Sequence, residues 1–68
     1  MKEKVIGIYP NGLTGLEITD IEHGIEDYII FRDMSDNSTH KRRIYYNTKN
    51  TYFMYYNRRI PLSECMRI

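Results

Sequence analysis

Turn-forming residues punctuate this chain at short intervals, and the segments between them are β-branched and aromatic; together these dictate a small, mainly β fold. Lys4–Tyr9 (KVIGIY) reads as a first strand, ended by Pro10, Asn11 and Gly12. Leu13–Ile21 reads as a second. Its Leu16 and Ile18 share one face and Glu17 and Thr19 the other, while Ile21 breaks the alternation and predicts a bulge near Asp20. A turn at His23 and Gly24 leads to Asp27–Arg32 (DYIIFR), the most apolar stretch and the expected central strand. Asp33–Thr39 (DMSDNST) is polar and turn-rich and is expected to be a mobile loop.

His40–Asn47 and Thr51–Asn57 follow as the strands of a hairpin closed by Asn47–Asn50. A turn at Asn57 and Arg58, where asparagine tolerates positive φ, sends Arg59–Leu62 back along the preceding strand. Pro61 opens a short helical turn in which Leu62, Cys65 and Met66 fall at i, i+3 and i+4. The expected architecture is all-β: a five- to six-stranded antiparallel meander, either an SH3-like barrel or a curled sheet, with a short C-terminal helical turn.

With 68 residues the chain makes one domain, 1–68. A chain this short buries only about 60% of its unfolded surface, so a partner copy is one route to more stability. Seven tyrosines, each an apolar body with a polar tip, suit such a homodimer. Cys65 is the single cysteine, which rules out an internal disulfide and fits a reducing, cytoplasmic compartment. The first nine residues do not read as a signal peptide, and no apolar run approaches the ~20 residues of a membrane span.

The net charge of +1 conceals an asymmetry. Residues 1–39 carry three basic and eight acidic side chains, a net −5; residues 40–68 carry seven basic and one acidic, a net +6. Either a charged partner meets one half, or acidic and basic strands lie side by side and neutralise each other.

The hairpin bears on function. If Asn47 faces Asn50, then Tyr45 faces Tyr52, Ile44 faces Phe53, Arg43 faces Met54, Arg42 faces Tyr55 and Lys41 faces Tyr56. Ile44 and Phe53 have no polar tip, so their face packs on the core with Arg42 at its rim. The opposite face then presents Lys41, Arg43, Tyr45, Tyr52, Met54 and Tyr56 to solvent, with Arg58 and Arg59 nearby. Aromatic rings among cations suit a protein partner, since Tyr and Arg anchor interfaces. They also suit nucleic acid, with Tyr45, Tyr52 and Tyr56 stacking on bases and Lys41, Arg43, Arg58 and Arg59 meeting phosphates. The bland alternative is tyrosines placed at half-buried positions for their β-propensity.

Other clusters carry less chemistry. Asp20, Glu22, His23, Glu26 and Asp27 match no metal-loop spacing and read as a solvated acidic turn. Cys65 has no base placed to activate it, and the scattered glycines form no phosphate loop. No enzyme activity, cofactor or metal is expected. The expectation is a non-catalytic protein-binding module, a small regulator or inhibitor, with a nucleic-acid-binding module as the alternative. Its Ile, Asn, Lys and Tyr usage suggests an AT-rich bacterial, phage or mobile-element source and a host protein as target.

Overall fold

Short runs of β-branched and aromatic residues cannot each bury a face alone, so they pair and then stack. A computed structural model describes residues 2–11 and 14–67, except for the side chains of residues 6, 9–11, 14, 66 and 67. Gly12 of the expected first turn, Leu13 and Ile68 lie outside the described residues. The strands are β1 (Lys2–Asn11), β2 (Thr14–Glu22), β3 (Tyr28–Asp33), β4 (Ser38–Arg43), β5 (Tyr45–Tyr46), β6 (Thr51–Tyr55), β7 (Arg58–Pro61) and β8 (Met66–Arg67). A 3₁₀ turn at Leu62–Glu64 separates the last two.

The strands form two antiparallel sheets. One has the order β4-β3-β2-β1-β8 and the other β5-β6-β7. The expectation of a mainly antiparallel β fold with a C-terminal helical turn holds, but the strands close no barrel and do not form one meander. The sequence HKRRIYYN reads as one strand; in the structure it belongs to two sheets. β4 is hydrogen-bonded to β3 from Tyr28↔Arg43 to Asp33↔Ser38, and the chain changes sheet at Ile44. There the Ile44 amide donates to the Asp27 carbonyl at 2.8 Å, which takes it out of any ladder with β6.

The expected bulge is present: β2 shifts register against β3 between Ile18 and Asp20, and β1 shifts against β2 between Lys4 and Gly7. Adjacent bulges bend a sheet locally and increase its twist.

The core fills the space between the sheets. Leu16, Ile18, Ile29 and Phe31 come from the large sheet, Phe53, Tyr55 and Ile60 from the small one, and Ile44 from the joint. Phe31 is the central ring. It lies 4.9 Å from Phe53, 5.0 Å edge-on from Tyr55 and 5.5 Å in a stack with His40. Each fully buried phenylalanine contributes about 1.5–3 kcal/mol of transfer free energy.

Three local expectations need correction. The polar segment after β3 is a four-residue turn, Met34–Asn37, whose Asn37 has φ 60°. Ser38 and Thr39 already belong to β4, and Asp33 is buried. His40 is thus the third residue of β4 and not the first of its strand. The next turn falls one residue earlier than expected, on Tyr56 and Asn57, with φ 49° and 59° between paired Tyr55 and Arg58. Two consecutive positive φ angles match the right-handed twist of the flanking strands. Finally, only Leu62–Glu64 is helical; Cys65 is extended and Met66 pairs with Ile8 of β1.

Candidate functional site

The small sheet buries one face and exposes the other. β6 alternates, with Phe53 and Tyr55 buried and Tyr52 and Met54 half-exposed. Its register places Tyr52 beside Tyr45 on one flank and beside Pro61 on the other, with Met54 opposite Arg59. The outer face therefore carries Tyr45, Tyr52, Met54, Arg59 and Pro61.

On that face four side chains stack in a row. The Tyr45 and Tyr52 rings lie face to face, 5.5 Å apart and tilted by 21°. The Arg43 guanidinium covers Tyr45 at 5.5 Å, and the Arg59 guanidinium covers Tyr52 at 5.1 Å. The aromatic pair contributes about 0.5–1.5 kcal/mol, and each exposed cation–π contact about 0.5–1 kcal/mol. The row is thus held in place before any partner arrives. Beside it a shallow depression of about 110 Å³ is lined by Asn47, Asn50, Tyr52, Arg59 and Pro61. The Asn47 amide donates to the Asn50 carbonyl at 3.1 Å and sets the register of the hairpin.

The other expected site residues lie apart from this row. Lys41 is on the outer face of the large sheet, where it pairs with Glu22 at 3.1 Å and sits 4.9 Å over Tyr28. It does not face Tyr56, and Arg43 does not face Met54, because β4 pairs with β3. Tyr56 occupies the hairpin tip, 76% exposed, with its ring 4.4 Å from Tyr55. Arg58 lies opposite Tyr55 and so belongs to the other face of the sheet from Arg59. Asn47, Asn50 and Pro61 were not anticipated as site residues; a hairpin loop flanking two stacked rings was the available signal. Arg42, expected at the rim of the core, lies exposed with its guanidinium 5.8 Å from the Tyr55 ring.

Part of the charge asymmetry is neutralised locally. Glu22 pairs with Lys41 at 3.1 Å and Glu26 with Arg43 at 3.5 Å across the two halves, while Glu17 pairs with Arg32 at 3.3 Å within the acidic half. Among the described residues, Lys2, Lys4, Arg42, Lys49, Arg58 and Arg59 have no carboxylate within ion-pair distance. Lys49, Arg58 and Arg59 lie on or next to the small sheet.

A polar network joins the two sheets behind this surface. The Tyr55 hydroxyl donates to Asp33 Oδ2 at 2.7 Å, and the Ser35 amide and hydroxyl donate to Asp33 Oδ1 at 3.0 and 2.6 Å. The Ser35 hydroxyl, the Tyr55 hydroxyl and the Ser35 amide hold the Asp33 carboxyl below its usual range, in that order of strength. Burial, with the hydrogen bond to Asp33 second, pushes the Tyr55 phenol up.

His40 Nε2 lies 2.6 Å from Ser38 Oγ and 3.1 Å from Tyr55 Oη. A serine beside a histidine invites comparison with a nucleophile and its base. However, the Ser38 proton goes to Asp36 Oδ1 at 2.6 Å, and the Tyr55 proton goes to Asp33. Both oxygens therefore accept from His40, whose Nε2 carries the hydrogen. In that state the imidazole cannot take a proton from Ser38, and the contact braces β3, β4 and β6.

The acidic turn is tied down by its neighbours. His23 contacts Glu3 at 3.0 Å and Asp27 at 3.4 Å, and the Glu3 hydrogen bond, followed by Asp27, raises the imidazole above 6.5 despite some loss of solvation. The Tyr46 hydroxyl donates to Asp27, which lowers the carboxyl and pushes the phenol up to about 12. Among the described residues no group of three or more His, Cys, Asp or Glu side chains is arranged to hold a metal ion. No helix among them is long and apolar enough to cross a membrane. Compared with protein-family models, with curated proteins and with solved structures, the chain shows significant similarity to none.

Proposed function

We propose that this chain is a non-catalytic protein-binding module, a small cytoplasmic regulator or inhibitor that docks the outer face of its small sheet on an acidic patch of another protein. The observation that carries this reading is the Arg43–Tyr45–Tyr52–Arg59 row. Tyr and Arg dominate interface hot spots, and side chains already immobilised lose little entropy on binding. Arg59, with no carboxylate of its own, has guanidinium donors free for a partner's acid. The same row weakens the nucleic-acid reading, because guanidiniums cover the outward faces of both rings and an inserted base must displace one. Pairing of the face with its own copy would set guanidiniums against guanidiniums, which favours a different protein.

The test compares wild type with Tyr52→Ser and Arg59→Glu. Proteins captured from the source cell are identified, and the affinity of each is measured by calorimetry. Hot-spot residues predict a loss of about 30-fold or more for either variant. A partner held equally by all three proteins refutes this face. A titration of the wild type with single-stranded oligonucleotides at two salt concentrations provides the contrast. Binding that falls with a log–log slope near −0.7 per phosphate contact would transfer the face to nucleic acid. Sedimentation of wild type beside Tyr52→Ser detects self-association through the same strands.

A further inference from the structure

A second surface lies on the large sheet, at the edge of β1. On one side β1 pairs with β2 from Lys2 to Asn11. On the other side only Gly7 and Ile8 are paired, with Arg67 and Met66 of β8. No other described strand runs along Lys2–Val5, and no described turn or loop bonds to that backbone. These residues thus offer a row of unpaired N–H and C=O groups in extended geometry.

Directly beneath the open edge is an apolar cleft of about 80 Å³ lined by Val5, Gly7, Ile18, Ile21, Ile29, Leu62 and Cys65. Val5 and Gly7 belong to both the edge strand and the cleft. A water occupies ~30 Å³ in the liquid, so the cleft has room for a small aliphatic group.

We infer that the Lys2–Val5 edge accepts an extended peptide of another protein as an added strand, with one apolar side chain in the cleft and acidic side chains against Lys2 and Lys4. Register dictates that pattern. Lys2 and Lys4 lie opposite Glu22 and Asp20, on the outer face of the sheet, whereas Glu3 lies opposite Ile21, whose side chain packs against the core. A strand added to this edge places alternate residues beside Lys2 and Lys4, and the residue beside Val5 points toward the cleft. Neither lysine has a carboxylate within ion-pair distance among the described residues, and Glu22, opposite Lys2, is engaged by Lys41. The partner segment therefore reads, antiparallel to β1, as an apolar residue followed by acids one and three positions later.

A second copy of this chain is the wrong occupant. Two identical antiparallel strands related by a two-fold axis must place one residue opposite itself. With Lys4 on the axis, lysine faces lysine. With Glu3 there, Glu3 faces itself and Lys2 faces Lys4. With Val5 there, Glu3 falls opposite Gly7, whose edge β8 already holds. Like charges opposite one another destabilise a strand pair.

The test uses two labelled eight-residue probes with alternating valine, one with glutamate and one with lysine between the valines, followed by fluorescence anisotropy and backbone amide shifts. The wild type should bind the glutamate probe, with shifts centred on Lys2–Gly7, and bind a backbone N-methylated version at least about tenfold more weakly, because its ladder donors are gone. The Lys2→Glu/Lys4→Glu double variant should weaken the glutamate probe about tenfold and prefer the lysine probe, an inversion that misfolding does not produce. Tyr52→Ser should leave all of this unchanged, which separates this edge from the small-sheet face. Absence of saturation at millimolar probe, equal binding of the N-methylated probe, or shifts confined to the small sheet overturns the inference. Lys2 and Lys4 then only guard the edge.

Discussion

Tyr55→Phe removes one oxygen atom from between the sheets and measures what the polar network is worth. The Tyr55 hydroxyl donates to Asp33 Oδ2 at 2.7 Å and accepts from His40 at 3.1 Å, inside a core where Asp33 is 5% exposed. Hydrogen bonds to charged groups contribute about 1.5–3 kcal/mol, so a loss of about 2 kcal/mol is expected. In a domain of this size each kcal/mol shifts the melting temperature by about 4–8 °C, which puts the variant about 8–16 °C below wild type. With a urea m-value near 1 kcal/mol/M, the denaturation midpoint falls by about 2 M.

The assay is thermal and urea unfolding by far-ultraviolet circular dichroism, with Tyr45→Phe as control because that exposed hydroxyl lacks a hydrogen bond among the described residues. The control should change stability by less than about 0.5 kcal/mol. Acid adds a second readout. The Asp33 carboxyl is depressed in the folded state from 3.8, so its contribution is present above that value and is lost as pH falls through the folded pKa. The gap between wild type and Tyr55→Phe should be full near neutrality and narrow below about pH 4. A variant within about 0.5 kcal/mol of wild type at pH 7, or a gap unchanged in acid, refutes the claim that the phenol stabilises a charged Asp33.

Four further outcomes follow from the same structure. Phe53→Ala empties a fully buried site and should cost about 3–5 kcal/mol, leaving much of so small a domain unfolded, as amide NMR dispersion would reveal; a variant that unfolds cooperatively at the wild-type temperature contradicts the assigned core. Tyr56→Asn relieves a bulky side chain at φ 49° and should be neutral or stabilising by up to about 1 kcal/mol in urea titrations; a loss above that shows that the ring contact with Tyr55 outweighs the backbone strain. Burial, aided by Glu64, pushes the Cys65 thiol from 9.0 up to about 11, so alkylation near pH 8 should be about a hundredfold slower than in urea, and equal rates would place the thiol in water. Because the His23 imidazole is raised above 6.5 in the folded state, its contribution is present below that pH and is lost as pH rises through the folded pKa; wild type should lose stability from pH 5.5 to 8 relative to His23→Gln, and parallel curves would dismiss the Glu3 and Asp27 contacts.

The sequence revealed local pairing better than sheet membership. Alternation and turn chemistry located the Asn47–Asn50 hairpin, the bulge near Asp20 and the inward side of Ile44, Phe53 and Tyr55, because each follows from neighbours in the chain. Nothing local signals that the amide of Ile44 will be taken by Asp27, and that single long-range bond divides one apparent strand between two sheets. The turn shifted onto Tyr56 because aromatic residues are poor candidates for positive φ, a local preference overridden by strand register. Met66 likewise left the expected helical face to pair with β1. At the small-sheet face, the stacking of Tyr45 on Tyr52 follows from hairpin register. The separation of Lys41 from the rings follows from the change of sheet, and was invisible for the same reason.

Ile44 also joins the two layers with no slack. One residue separates Arg43, at the end of the large sheet, from Tyr45, at the start of the small one, and its side chain is packed into the core. Pulling β4 away from β3 therefore tugs on the Tyr45–Tyr52 pair at once. A load on the tyrosine row is transmitted to the middle of the molecule through this one-residue link, so a partner gripping that row also grips the core.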